Sequence, residues 1–253
     1  MSLGGAAALD PIEALDAVER AGIERVAVPG RWIEDDGAFD RTKQALGRFD
    51  VFEVADIAPS SVSGNIAGQS PSIVDSFVER MAEMIERAAA LGARRVSLSL
   101  GEPEIPGESG GGRAKAAVLK RLGPYLVRRG IKLGVPLRIP RVGGGSSLEE
   151  WSALIRESMC PNIEIELRIH PHEPDGTKPP EGMAGHFLFN VGSVNFLFEP
   201  ETGNSLSEKL LRGWFDALDA PTFDGDIIAR PRPASIPMLE SAIHALGKNF
   251  AIE

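Results

Sequence analysis

Apolar and polar residues alternate without a break over 131–139. Ile131, Leu133, Val135, Leu137 and Ile139 stand against Lys132, Gly134, Pro136 and Arg138. A period of two over this length predicts a β-strand with one apolar face and one small or polar face. The same pattern returns at Ile163, Ile165, Leu167 and Ile169, against Glu164, Glu166, Arg168 and His170. Shorter strands are predicted at 25–28, 51–58, 96–100, 194–199 and 226–230, with a weak candidate at 2–7. Between them the period changes. After Ser70 and Pro71, residues Ile73, Phe77, Met81, Met84, Ile85 and Ala88 keep the spacing of one buried helical stripe. Asp10-Pro11-Ile12-Glu13 is an N-cap with proline in the first turn, and Ser147-Leu148-Glu149-Glu150 has the form of a capping box. Further helices are predicted at 40–46, 114–127 and 237–246, with a short one near 181–189 and another after Ser205. Gly22, Gly92 and Gly130 are placed to end helices.

About eight strand–helix pairs in 253 residues match the rhythm of a single-domain (β/α)8 barrel spanning 1–253. A doubly wound open sheet has the same alternation of elements. Open parallel sheets, however, are covered on both faces and read as continuous apolar runs. Polar inward faces on successive strands therefore favour closure.

Composition narrows the function classes. Net charge is −9, which disfavours electrostatic capture of nucleic acid or an anionic membrane. No apolar run approaches the ~20 residues of a membrane span, and the first residues lack the pattern of a secretory signal. Cys160 is the single cysteine, so no intrachain disulfide can form, and a buried, unreactive thiol is expected. A cytoplasmic protein is the expectation, with homo-oligomer formation left open.

The connections carry the chemistry. Helix-to-strand turns are short, while the strand-to-helix segments 101–112, 140–146 and 171–180 are long, polar and rich in glycine or proline. In a barrel the long ones share the C-terminal face, where active sites are built. Inward residues nearest that face are Ser99, Arg138, Arg168, His170, Glu199 and Arg230, with Arg141, His172 and Arg232 just beyond. Guanidinium groups match carboxylate and phosphate geometry through paired donors. Their convergence in an acidic protein predicts a pocket for a small anion, a sugar phosphate or an organic acid. The competing expectation is internal pairing, Arg168 with Glu166 and Arg230 with Glu199 or Asp226. His170 and His172 are two residues apart and could share a metal ion, but no third ligand is placed and tetrahedral zinc sites need three or four. Acid–base work by His170 or Glu199 is the better functional use of these side chains, with an ordinary loop or pocket histidine as the alternative for His170. The glycine runs 110–112 and 143–145 match neither the phosphate-loop nor the dinucleotide pattern.

Several segments together resemble the xylose-isomerase-like barrel superfamily of sugar isomerases, sugar-phosphate epimerases and abasic-site endonucleases. DPIEALDAVERAGIERVAV resembles its first helix and second strand, DVFEVADIAPSS its third strand, RRGIKLGVPLRI its fifth, and FDGDIIAR its closing segment. The resemblance implies a divalent metal held by carboxylates and a histidine. In this chain the fifth-strand glutamate falls at Pro136, the final glutamate at Arg230, and the histidine near Asn195 or Phe196, with Glu166 in the region of the sixth-strand acid. The implied reaction is isomerisation or epimerisation of a small anionic carbohydrate or carboxylate, with Arg138, Arg168 and Arg230 in place of a metal. A catalytically silent barrel that binds an anion or a protein partner is the rival expectation.

Overall fold

The computed structural model describes residues 1–57, 66, 69–100, 111–139, 148–170, 190–198, 213–214, 216 and 223–249. Seven strands, β1 (Arg25–Pro29), β2 (Asp50–Ala55), β3 (Arg95–Ser97), β4 (Lys132–Ile139), β5 (Ile163–Ile169), β6 (Val191–Phe198) and β7 (Asp226–Pro231), form one parallel sheet in chain order. The helices are α1 (Pro11–Arg20), α2 (Asp36–Ala45), α3 (Pro71–Ala90), α4 (Gly111–Arg129), α5 (Leu148–Ser158) and α6 (Ile236–Asn249). None is long and apolar enough to cross a membrane, among the described residues.

The sheet is curled. In a flat sheet β2 and β7, five places apart, would be separated by roughly 24 Å at ~4.8 Å per strand. Yet Arg230 of β7 donates to Glu53 of β2 at 2.8 Å. At the outer edges, Ser2 forms a parallel bridge with Ala27 of β1, and its amide donates to the Ala229 carbonyl of β7 at 3.1 Å. The first residues thus touch both outer strands. The weak strand expected at 2–7 stops there. Gly4 N donates to Ser2 Oγ at 3.1 Å, and Gly4–Ala6 turn into a 3₁₀ helix, as a pair of glycines readily allows.

Period-two alternation does what it predicts. Leu133, Val135, Ile165, Leu167, Ile169, Val194 and Phe196 leave one face of the sheet and join a single apolar core with the helices. Phe77, Met81, Met84, Ile85 and Ala88 supply the buried stripe of α3. Asp10 caps α1, accepting from Ile12 N at 2.9 Å and Glu13 N at 3.2 Å, a contact worth about 1 kcal/mol. Asp35 caps α2 in the same way, accepting from Ala38 N at 2.8 Å, so that helix starts before the expected residue 40. Strand β6 begins at Val191, three residues earlier than its apolar pattern suggests, because Gly192 and Ser193 face inward. A Cβ on Gly192 would fall 1.8 Å from Cδ of Glu164.

Four helices end alike. Gly22, Gly92 and Gly130 follow α1, α3 and α4 at φ of 71°, 81° and 65°, each donating its amide to a carbonyl of the last turn. After α5 the same position is Met159, at φ 54° with its side chain 80% exposed. A non-glycine residue in the left-handed region pays a steric penalty that nothing here offsets. Met159→Gly is expected to raise stability by about 1 kcal/mol, measured as a higher urea midpoint with unchanged slope.

Candidate functional site

The inward face of β2 carries Glu53, and the chain then breaks out of the strand at Asp56. Asp56 has φ 55°, a conformation that ends β2 three residues before the expected position 58. Ser97 of β3 holds this turn: its Oγ accepts from Asp56 N at 2.8 Å and its carbonyl from Ile57 N at 2.9 Å. Gly30 packs against the other side, where a Cβ would lie 2.7 Å from the Asp56 carbonyl oxygen. A non-glycine residue fixed at positive φ from two sides is the sort of local strain that clusters at functional positions.

Two arginines converge on the Asp56 carboxylate. Arg168 of β5 donates from Nη2 to Oδ1 at 2.5 Å, and Arg230 of β7 from Nη1 to Oδ2 at 3.4 Å. Arg168 Nε also donates to Glu166 Oε1 at 2.6 Å, two residues along the same inward face. Arg230 Nη2 donates to Glu53 Oε1 at 2.8 Å and lies 3.4 Å from Glu166 Oε1. Glu53, Glu166 and Arg230 are almost wholly buried. Above them, Gly4, Asp56, Arg168, Leu197, Arg230 and the exposed Arg232 line a cleft of ≈190 Å³.

A second polar tier lies at the N-terminal ends of the strands. Arg95 Nη2 sits 2.5 Å from Glu164 Oε1 and donates to the Gly192 carbonyl at 2.7 Å, while its Nη1 reaches Asp226 Oδ2 at 2.8 Å. Lys132 adds a contact of 3.1 Å to Glu164 Oε2. The tiers are separated by Ala27, Phe52 and Ile228, a small apolar cluster apart from the main core.

Burial and charge act in opposite senses on these groups. Burial pushes the Glu53 carboxyl up to about 7, with Glu166 adding to the effect and Arg230 opposing it. Burial also works against ionised Asp56, but Arg168 and Arg230 outweigh it and hold its carboxyl below the usual 3.8. Burial likewise disfavours the Arg168 cation, and Glu166 and Asp56 more than compensate, raising its pKa.

The cleft brings together three of the residues singled out by sequence: Arg168, Arg230 and Arg232. Ser99 is exposed beyond the end of β3 and does not line it. Arg138 occupies the β4 position paired with Arg168, and His170 follows β5 directly, half-buried. The side chain of Arg138, together with Arg141, His172 and Glu199, lies outside the described residues. Internal pairing is present with partly different partners. Arg168 takes Glu166 as expected, whereas Arg230 takes Glu53 and Asp56, and Asp226 goes to Arg95. Cys160 is buried beside Gly123. Sequence reasoning missed Glu53, Asp56 and Ser97. The available signal was the segment Val51-Phe52-Glu53-Val54-Ala55-Asp56, where two acids interrupt an otherwise apolar run.

A carboxyl whose pKa is raised on folding stabilises the protein fully below its unfolded value, and that contribution is lost as pH climbs through the folded value. Wild type should therefore lose stability relative to Glu53→Gln between about pH 4.5 and 7. Urea denaturation of both proteins at pH 5 and pH 8 measures the difference. Asp56 acts in the opposite sense, at the acid end.

No family model and no curated protein matches the chain. Solved structures do. A xylose isomerase domain containing protein from Salmonella typhimurium superposes with a TM-score of 0.67 at 15% identity, over 96% of this chain and 93% of its own. D-psicose 3-epimerase with D-tagatose from Clostridium cellulolyticum gives 0.70 at 12% identity, over 95% and 93%. The IOLI protein with a bound zinc atom gives 0.66 at 10% identity, over 94% of each chain. The curled parallel sheet with its surrounding helices is the fold of these xylose-isomerase-like proteins.

Proposed function

We propose that this chain is a sugar isomerase- or epimerase-like protein acting on a small anionic carbohydrate or carboxylate at the Asp56–Arg168–Arg230–Arg232 cleft. Residues 1–3 serve as the eighth stave of a closed (β/α)8 barrel, and the whole chain is one domain. The observation that carries the reading is the composition of the cleft wall, where, among the described residues, three guanidinium groups meet one carboxylate. Fixed cations aimed at developing charge stabilise an enolate-like intermediate, the species that isomerases and epimerases share. Arg138 and Arg141 extend the cationic rim, and His170 or Glu199 moves the proton.

The donor set does not suit a divalent metal. Among the described residues no group of three His, Cys, Asp or Glu side chains is arranged to hold one. At the positions matched to the superfamily's ligands stand Pro136, Asn195 or Phe196, and Arg230, and the one carboxylate, Glu166, is engaged by Arg168. Adding a divalent ion beside two guanidinium groups would be opposed by Coulomb repulsion. The arginines take over as the positive charge.

The second reading, a barrel that binds an anion or a partner without turnover, draws support from the saturation of Arg168 and Arg230 by internal carboxylates. Conversion of any sugar phosphate by the purified protein would count against it.

A thermal-shift screen of sugar phosphates and organic acids is expected to find a stabilising anion. Arg232→Met, at an exposed position, should weaken that anion roughly tenfold or more. Arg230→Met should abolish binding, at a cost in stability of about 3–5 kcal/mol from the unpaired carboxylates. Unchanged affinity in both variants overturns the assignment. Stoichiometric zinc or manganese in the purified protein overturns the metal-free reading.

A further inference from the structure

Glu53 is fully buried, as Glu166 is, and it does not line the cleft. It touches the cleft through Arg230. The Nη2 of Arg230 is faced by two carboxylates at once, Glu53 Oε1 at 2.8 Å and Glu166 Oε1 at 3.4 Å. The other oxygen of each, Glu53 Oε2 and Glu166 Oε2, is buried without a hydrogen-bond partner. Among the described residues, the charges acting on Glu53 are Arg230 from β7, Glu166 and Arg168 from β5, and Arg95 from β3. On its own strand, Asp56 holds the opposite side of Arg230. Three carboxylates, Glu53, Asp56 and Glu166, thus meet two guanidinium groups beneath the cleft, Arg168 and Arg230, with buried Arg95 reaching Glu53 from β3.

Two buried carboxylates competing for one guanidinium nitrogen do not both stay ionised without cost, and a further negative charge nearby makes the conflict worse. Asp56 is fixed in its ionised form by two arginines, and Glu166 accepts from Arg168 at 2.6 Å. Glu53 takes its hydrogen bond from Arg230, with Arg95 and Arg168 acting on it through space only. We propose that Glu53 is the positioning residue of the cleft, and that its carboxyl takes up a proton from solvent whenever an anion docks against Arg168, Arg230 and Arg232. This rests on the anion-binding reading given above. Protonation withdraws one negative charge from Arg230, which then presents its full charge to the ligand. Anion and proton enter as a pair. The raised titration range of Glu53, near 7, puts the exchange within reach of ordinary conditions.

One coupled proton sets the expected slope. Affinity for an anion with no titration of its own should be flat below about pH 7, then fall about tenfold per pH unit above it. Inorganic sulfate and malonate are suitable probes. Titration calorimetry at pH 8, in two buffers of different ionisation enthalpy, should show a net uptake approaching one proton per anion bound by the wild-type protein. Glu53→Gln, a neutral isostere, should bind sulfate with no proton uptake and with affinity that no longer falls from pH 7 to 9. An infrared difference spectrum of the wild type at pH 8 should gain a protonated-carboxyl band on adding sulfate, independently of whether the variant folds. Binding without proton uptake, or uptake that persists in Glu53→Gln, overturns the role of Glu53 and leaves the anion site standing. Failure of both probes to bind wild type between pH 6 and 9 overturns the anion site itself, and the coupling with it.

Discussion

The structure depends on opposite charges meeting across the inside of a curled sheet. Glu53 and Asp56 on the β2 side, Glu166 and Arg168 on β5, and Arg230 on β7 form one connected set. Each partner is expensive alone: a buried charge stripped of its counterpart costs about 3–5 kcal/mol. The strands that carry them must therefore approach one another, and the sheet bends to allow it. The lower tier of Arg95, Glu164 and Asp226 repeats the arrangement at the other end, with a few apolar side chains between. Apolar burial fixes the outside of the sheet, while charge pairing fixes its inside. Curvature satisfies both.

The same pairing explains what the cleft can offer a ligand. Its walls are cationic, and Arg168 and Arg230 are engaged from below by buried carboxylates. A ligand bound there would meet charge held in place, with the geometry set before binding. Such preorganisation is worth more to a developing anion than mobile side chains that must first be ordered. A guanidinium is also tethered to the chain, unlike a metal ion, and its charge is set by the sequence.

Much of this was legible in the sequence, for identifiable reasons. Strands β4 and β5 announce themselves because their inward and outward residues differ sharply in polarity. Gly22, Gly92 and Gly130 announce the ends of helices because only glycine reaches positive φ freely. The inward phase of Arg168 and Arg230 follows directly from their apolar neighbours. Glu53 and Asp56 were harder. Their partners are more than a hundred residues away, and pattern carries no information about partners across a sheet. Asp56 is harder still, because it sits at a backbone turn that Ser97 and Gly30 create, and neither is close to it in sequence. Ser99 looked inward by alternation, but β3 ends at Ser97 and the alternation ends with it.

Gly192 has a consequence that reaches beyond its own position. The space a side chain would need there is filled by the Glu164 carboxyl, which Arg95 and Lys132 hold in place. Arg95 in turn contacts Asp226 and the Gly192 carbonyl. Residues on five strands therefore constrain one another as a block. In descendants of this chain, a larger residue at 192 becomes tolerable only after Glu164 has shortened, and Arg95 must then rely on Asp226 for its counter-charge. This lower tier can drift only by concerted steps, because each of its charges is held by residues on other strands.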